Sequence, residues 1–111
     1  MESQPTAASN PVTDAFGLLG HRYRRYVVRT LDDHGCELTL ADLADETARR
    51  EHDRPVSEIA SETVSEIYLA LYHTHVPKLA DGDAVRYDQD HDIVDPRERV
   101  ESLAQVLEVV G

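Results

Sequence analysis

Histidine and cysteine are the residue types in this chain that most readily bind a metal ion. The chain of 111 residues contains six histidines and a single cysteine, Cys36. His73 and His75 are two positions apart, so on a helix they point to different faces and cannot hold one ion together. Cys36, His91 and Asp92 follow no metal-ligand spacing either. We therefore expect no metal and no cofactor, with Cys36 as a small buried side chain.

Catalytic motifs indicate a functional site no more strongly than the metal-ligand spacings do. The sequence has no glycine-rich phosphate loop, no nucleophile motif, and no carboxylate pair that stands out from a generally acidic chain. We expect a binding protein without catalytic residues.

Basic side chains that could contact phosphate form one dense patch, at Arg22, Arg24, Arg25 and Arg29. These side chains could hold DNA phosphates. Alternatively, Arg25 and Arg29 are four residues apart and could pair with acidic residues of a neighbouring helix. The sequence leaves both interpretations open.

The segment 81–95 is strongly acidic, with six Asp and one Arg, Arg86. At low salt such a segment should repel a phosphate backbone. In molar potassium, cations held by the carboxylates could bridge to phosphate, and the usual weakening of DNA binding by salt could flatten or invert.

The overall charge indicates salt adaptation. Formal net charge is −11, and the 11 basic residues include only one Lys, Lys78. Acidic surfaces poor in Lys suit a halophilic cytoplasm, where a Debye length of about 3 Å at molar salt screens self-repulsion. An ordinary acidic protein is the alternative, but acidity alone does not explain the low Lys content. The sequence shows no export signal and no apolar stretch of about 20 residues that could span a membrane.

Apolar spacing indicates which elements position these residues. Residues 1–12 predict a flexible tail. The order that follows is a helix near 16–31, a brief strand at 37–39, helices at 40–51 and 62–80, a hairpin at 84–94, and a helix at 96–111. Gly17 and Gly20 weaken the first turn of the first helix, which indicates a continuous helix only from His21.

Several residues mark where these elements begin and end. Thr39, Ser61 and Asp95 are predicted helix N-caps, with Pro96 at the first position of the last helix. Pro77 predicts a kink or a new helical turn within the third helix.

The last helix carries a narrow apolar stripe at Val100, Leu103, Leu107 and Val110. A stripe this narrow favours a seam with a second copy of the chain. It predicts a homodimer.

The order of elements predicts a mainly α fold with a small β-hairpin wing, a winged helix-turn-helix over 13–95 with an extra C-terminal helix over 96–111. Three stretches then resemble a known family: 18–28 (LLGHRYRRYVV), 40–44 (LADLA) and 68–79 (YLALYHTHVPKL). They resemble ArsR-type repressors and, more closely, a haloarchaeal family of largely uncharacterised winged-helix domains, across about 14–95. This chain departs from the ArsR-type pattern at Asp83: those repressors usually have Gly just before the first wing strand, and here Gly82 lies one position earlier.

This resemblance implies a transcriptional regulator whose third helix reads double-stranded DNA. Tyr68 and His75 are expected in the core. The candidate DNA-binding residues are Ser65, Tyr72, His73, Thr74 and Lys78 on the third helix, with Arg22, Arg24, Arg25 and Arg86. The alternative is a protein-interaction module that keeps the fold without DNA affinity, which the acidic hairpin favours.

Overall fold

The structure, a computed structural model, describes residues 11–110 as a mainly helical protein with a small three-stranded antiparallel sheet. The helices are α1 (Pro11–Leu18), α2 (Arg22–His34), α3 (Leu40–His52), α4 (Ser61–Ala70), α5 (Val76–Asp81) and α6 (Glu98–Val110). The strands are β1 (Leu38–Thr39), β2 (Val85–Asp88) and β3 (Ile93–Pro96). The predicted tail lies, up to residue 10, outside the described residues. No helix within them is long and apolar enough to cross a membrane.

The sheet has the order β1-β3-β2. β2 and β3 form the predicted hairpin, and β1 adds a short edge by pairing Leu38 with Val94. The backbone of Asp92 accepts a hydrogen bond from Leu40 N–H at 2.9 Å. The hairpin is thereby attached directly to the start of α3.

The stretch 16–31 is not one helix: its continuous helix starts next to His21, as expected, and a separate helix precedes it. α1 ends at Leu18, and the chain turns before α2 begins at Arg22. The side chain of His21 caps α2 by accepting a hydrogen bond from Tyr23 N–H at 3.0 Å. Because the two helices have separate axes, Phe16 does not join the core face of α2 and is 52% exposed.

Helix ends were predicted with mixed success. Thr39 caps α3 as predicted, accepting a hydrogen bond from Asp42 N–H at 3.0 Å. Ser61 is not a cap, because α4 begins at Ser61 itself and Ala60 precedes it without a side-chain bond. Asp95 and Pro96 do not start α6, because they continue the pairing of β3 with β2.

Pro77 acts as predicted on the third helix. The chain between α4 and α5 widens into a π-helical segment, Leu71–His75, closed by a bond from Val76 N–H to Leu71 O. The run then returns to α-helical geometry as α5, with Pro77 in its first turn. We call the continuous run from 61 to 81 the third helix.

The core lies between α2, α3, the third helix and α6. Val100, Leu103 and Leu107 are at most 3% exposed in the single chain, and α6 packs against α2. This corrects their predicted place at a dimer seam, because α2 of the same chain already covers the stripe. Val110 remains 60% exposed. Cys36 is exposed, which corrects its predicted burial.

Candidate interaction surface

Arg22 is exposed but already paired. Its Nε donates to both carboxylate oxygens of Glu51, at 2.8 and 2.7 Å. That guanidinium holds the pKa of Glu51 below its usual value. The pair joins the start of α2 to the end of α3, so the Arg22 charge is largely neutralised within the chain.

Arg24 lies inside the protein, at 7% exposure. Its Nε donates to Leu18 O at 2.7 Å, and one terminal nitrogen donates to His75 Nδ1 at 2.9 Å. Leu18 ends α1, and the last carbonyls of a helix lack partners within it. Arg24 therefore caps α1, which corrects its predicted role as a phosphate contact. Arg25 likewise donates to Leu19 O at 2.8 Å.

His75 is buried, as predicted, and accepts the hydrogen bond from Arg24. Arg has donors only, so His75 Nδ1 must carry a lone pair and the ring proton must lie on Nε2. The ring of His21 lies 4.3 Å away between centroids. Burial, and then the charges of His21 and Arg24, lower the pKa of His75 to about 4. His75 is a neutral core residue.

The two remaining basic candidates lie apart from this patch. Arg86 is on β2, two-thirds exposed, and 3.9 Å from Asp95 on β3. Lys78 is exposed on α5.

The third helix exposes most of its predicted site residues. Ser65, His73 and Thr74 are exposed, and Tyr72 is half-buried. Leu69 lies among them and is 52% exposed. An exposed Leu in the middle of a predicted DNA-reading surface has no phosphate or base-edge hydrogen bond to make.

A hollow of about 340 Å³ lies on one side of Leu69, between α3 and α4. It is lined by Ala41, Ala44, Asp45, Val64, Ser65, Tyr68 and Leu69. Burial, and then the charges of Asp42 and Glu46, raise the pKa of Asp45. This carboxylate is therefore short of positive neighbours.

A second hollow, of about 390 Å³, lies on the other side of Leu69, between the third helix and the hairpin. We call it the tyrosine hollow; it is lined by Tyr68, Leu69, Tyr72, His73, Tyr87, Gln89 and Asp92. We call the two hollows together with Leu69 the docking face. Among residues 11–110, no Arg or Lys lines either hollow.

Asp92 organises the tyrosine hollow. Tyr68 on α4 donates its hydroxyl to one carboxylate oxygen at 2.6 Å, and Tyr87 on β2 donates to the other at 2.5 Å. The hydrogen bond from Tyr68 to Asp92 raises the pKa of Tyr68. Burial, and then its own hydrogen bond to Asp92, raise the pKa of Tyr87. Both hydroxyls therefore stay protonated donors. Gln89 donates to the Tyr72 hydroxyl at 2.9 Å.

The sequence analysis did not bring Leu69, Tyr87 and Asp92 together. Tyr87 and Asp92 lie in the hairpin, and Leu69 lies on a helix distant in sequence. A usable signal was present, since Tyr68 and Tyr72 are four residues apart and share a helix face. The hairpin register that places Tyr87 opposite them could not be read from the sequence.

A separate apolar groove of about 770 Å³ lies between α1 and α6. Among its lining residues, Phe16 is 52%, Val109 86% and Val110 60% exposed. Val106 also lines it, half-buried.

The described elements thus form a mainly helical protein with a small three-stranded sheet, and Tyr68, Tyr72, Tyr87 and Asp92 line a surface between its third helix and its hairpin. Residues 16–95 match a family model described as a domain of unknown function, DUF7344, and the chain belongs to that family. No curated protein and no solved structure matches the chain.

Proposed function

We propose that the fold is a winged helix-turn-helix. Three features support this proposal: α3 packs against α4, the hairpin follows the third helix directly, and β1 joins the hairpin as a third strand. A fold of this type does not by itself fix the target, so the function must be argued from the surface.

We infer that the docking face binds a basic segment of a partner protein. The observation that carries this inference is the exposed Leu69 between two hollows that contain the carboxylates of Asp45 and Asp92. An apolar anchor with a polar rim is the usual anatomy of a protein interface. A rim of carboxylates selects a partner with Arg or Lys beside its apolar residues.

The placement of the arginines supports a protein target over DNA. Arg22 is paired with Glu51, Arg24 is buried, and Arg86 lies beside Asp95. A protein that neutralises DNA phosphates needs cations free to replace the condensed counterions. The basic patch that the sequence offered for this purpose is largely occupied within the chain.

The test is a pair of selections on the purified protein in molar potassium chloride, one from random twelve-residue peptides and one from random double-stranded DNA. We expect enrichment of peptides that combine Arg or Lys with apolar residues. Leu69→Glu should abolish this enrichment, because it places a charge at the centre of the interface. Val56→Glu, which places a Glu at another exposed apolar position, should leave it intact.

Two results would overturn the protein-binding proposal. One is the absence of any enriched peptide from a folded protein. The other is a peptide set that Leu69→Glu leaves unchanged, because the docking face would then not be the binding surface.

DNA binding by a homodimer is the second candidate function. The exposed Ser65, His73, Thr74 and Lys78, all on the third helix, favour it, since each can donate to a phosphate or a base edge. Enrichment of a palindromic sequence in the DNA selection would support this candidate. His73→Ala/Lys78→Ala should then abolish the enrichment. The control, His34→Ala/Arg97→Ala, also removes one histidine and one basic side chain, near the end of α2 and the start of α6, and should leave the enrichment intact.

We also propose that the chain pairs with itself through the groove between α1 and α6. Phe16, Val109 and Val110 support this proposal, because they leave apolar surface exposed at one place. A two-fold axis there would bring the same side chains of both copies together.

A further inference from the structure

We propose that the tyrosine hollow is a receptor for one arginine side chain of the partner. This inference rests on the proposed protein-binding function and deepens it, because it names the anchor group and the residues that hold it. Tyr72, Tyr87 and Asp92 form the receptor.

The first support is the arrangement of the rings. Tyr72 and Tyr87 lie 6.3 Å apart between centroids and at 81° to each other, so the edge of one ring meets the face of the other. His73 packs against Tyr72 in the same manner, at 4.9 Å and 77°. Aromatic faces carry partial negative charge and attract a guanidinium group placed over them.

The second support is the state of the Asp92 carboxylate. Its hydrogen-bond donors are two neutral hydroxyls, those of Tyr68 and Tyr87. No ion pair involves Asp92 within the part of the chain that the structure describes. A carboxylate has about four acceptor positions, so it can still accept a charged donor. A half-buried negative charge without a cation is therefore presented to the hollow.

The third support is the direction of the nearest arginine of the hairpin. Successive side chains of a strand point to opposite faces. Tyr87 lines the hollow, so its neighbour Arg86 points away, where it lies 3.9 Å from Asp95 and two-thirds exposed. The hairpin therefore does not supply the missing cation from its own Arg.

Guanidinium fits this site better than an anion does. Its planar group can lie over a tyrosine ring while its N–H groups donate to a carboxylate. The tyrosine hollow has no Arg or Lys among the described residues to receive a phosphate or a partner carboxylate.

The test is an NMR titration of the full chain, ¹³C-labelled at tyrosine, in molar potassium chloride. The probe is N-acetyl-arginine amide, and the matched neutral probe is N-acetyl-norleucine amide. We expect saturable shifts of the Tyr72 and Tyr87 ring signals with the arginine probe only. Tyr23 and Tyr26, on α2, serve as internal references.

Asp92→Asn should weaken the arginine response about tenfold, because it removes the charge from a charge-assisted contact. Asn tolerates the positive φ of 58° at this position, so the hairpin can keep its shape. Asp90→Asn is the matched control in the same turn and should bind like the wild type. Tyr72→Leu should also lose the response, independently of the Asp92 bonds.

The receptor proposal would be overturned if the wild type showed no arginine-specific shift, or if Asp92→Asn bound the arginine probe with the wild-type affinity. Failure of this inference differs from failure of the proposed function. If selected peptides still depend on Leu69 but bind equally well after each Arg is replaced by norleucine, the partner docks without an arginine anchor. If no peptide binds while the arginine amide does, the receptor stands without the wider docking face.

Discussion

Arg24 and His75 show that the structural role of a residue depends on partners that are distant in sequence. They are 51 positions apart and share a hydrogen bond in the core. Arg24 also satisfies carbonyls at the end of α1, so one side chain joins three elements: α1, α2 and the π segment. Removing such a side chain leaves buried acceptors without donors, which typically costs about 1–3 kcal/mol for each group.

The buried neutral state of His75 predicts a loss of stability in mild acid. The folded pKa of about 4 lies below the unfolded value of 6.5. Between these values the unfolded chain takes up a proton that the folded chain does not. The free energy of unfolding should therefore fall by about 3 kcal/mol as the pH drops from 6.5 to 4, and should be insensitive to His75 above pH 7.

Urea unfolding in molar potassium chloride at several pH values checks this prediction. His75→Gln keeps an acceptor for Arg24 but cannot titrate, so its curve should be flatter than the wild-type curve over this range. Carboxylates contribute to both curves and cancel in the difference. His34→Gln, at an exposed position, is the control and should follow the wild type. Parallel curves for His75→Gln and the wild type would contradict the prediction.

Two glycines at helix positions, Gly35 and Gly17, differ in the backbone conformation that they adopt, so the same Gly→Ala change should have opposite effects on stability. Gly35 ends α2 with φ of 68°, and its N–H donates to Leu31 O. Gly17 lies inside α1, and a Cβ there would meet no atom within 4 Å. Gly35→Ala should destabilise the protein by about 1 kcal/mol, because Ala is strained at positive φ. Gly17→Ala should stabilise it by about 0.5–1 kcal/mol, because Ala is the better helix former.

Thermal unfolding of both variants under one buffer condition measures this contrast. A Cβ at Gly35 also meets no atom within 4 Å, so crowding cannot explain a loss of stability there. Equal changes at the two positions would mean that backbone conformation does not decide the outcome.

The elements themselves were largely predictable from the sequence, because apolar spacing and turn residues act locally. Thr39 and Pro77 mark boundaries that the structure confirms. The predictions for Ser61 and Asp95 were wrong. α4 already includes Ser61, and Asp95 continues the pairing of β3 with β2 before α6 can start. A good capping residue shows where a helix can begin, and tertiary pairing decides whether it does.

The candidate site was less predictable than the elements. The third helix and its exposed side chains followed from the pattern, but the roles of the arginines did not. Arg22 and Arg24 are alike in sequence, yet one is paired on the surface and the other is buried. The break between α1 and α2 decides this difference, because Arg24 donates to the carbonyl of Leu18 at the end of α1. Gly17 and Gly20 in the sequence indicate only where the break lies. The apolar stripe of α6 was likewise predicted to face a second copy, although α2 of the same chain covers it. The spacing of a stripe does not tell which helix packs against it.

At the scale of the whole molecule, a net charge of −11 opposes association of two copies at low salt, because like charges repel. At molar salt the Debye length falls to about 3 Å, so this repulsion is largely screened and apolar contact can decide. The groove between α1 and α6 then becomes the place where two copies can bury apolar surface.

This argument predicts a dimer that Val109→Glu disrupts. Val109 is 86% exposed and lines the groove, so a charge there should prevent its burial against a second copy without disturbing the core. Light scattering in molar potassium chloride should give twice the chain mass for the wild type and the monomer mass for the variant. Val56→Glu makes the same change outside the groove and should stay dimeric.

Leu103 would be the wrong position for this test. It is 1% exposed inside the single chain, so a charge there should unfold the protomer whether or not a dimer exists. A monomeric wild type, or a Val109→Glu variant that keeps the doubled mass, would show that the groove is not a dimer interface. Because the docking face shares no residue with the groove, a monomeric wild type would leave binding at the docking face as a property of the single chain.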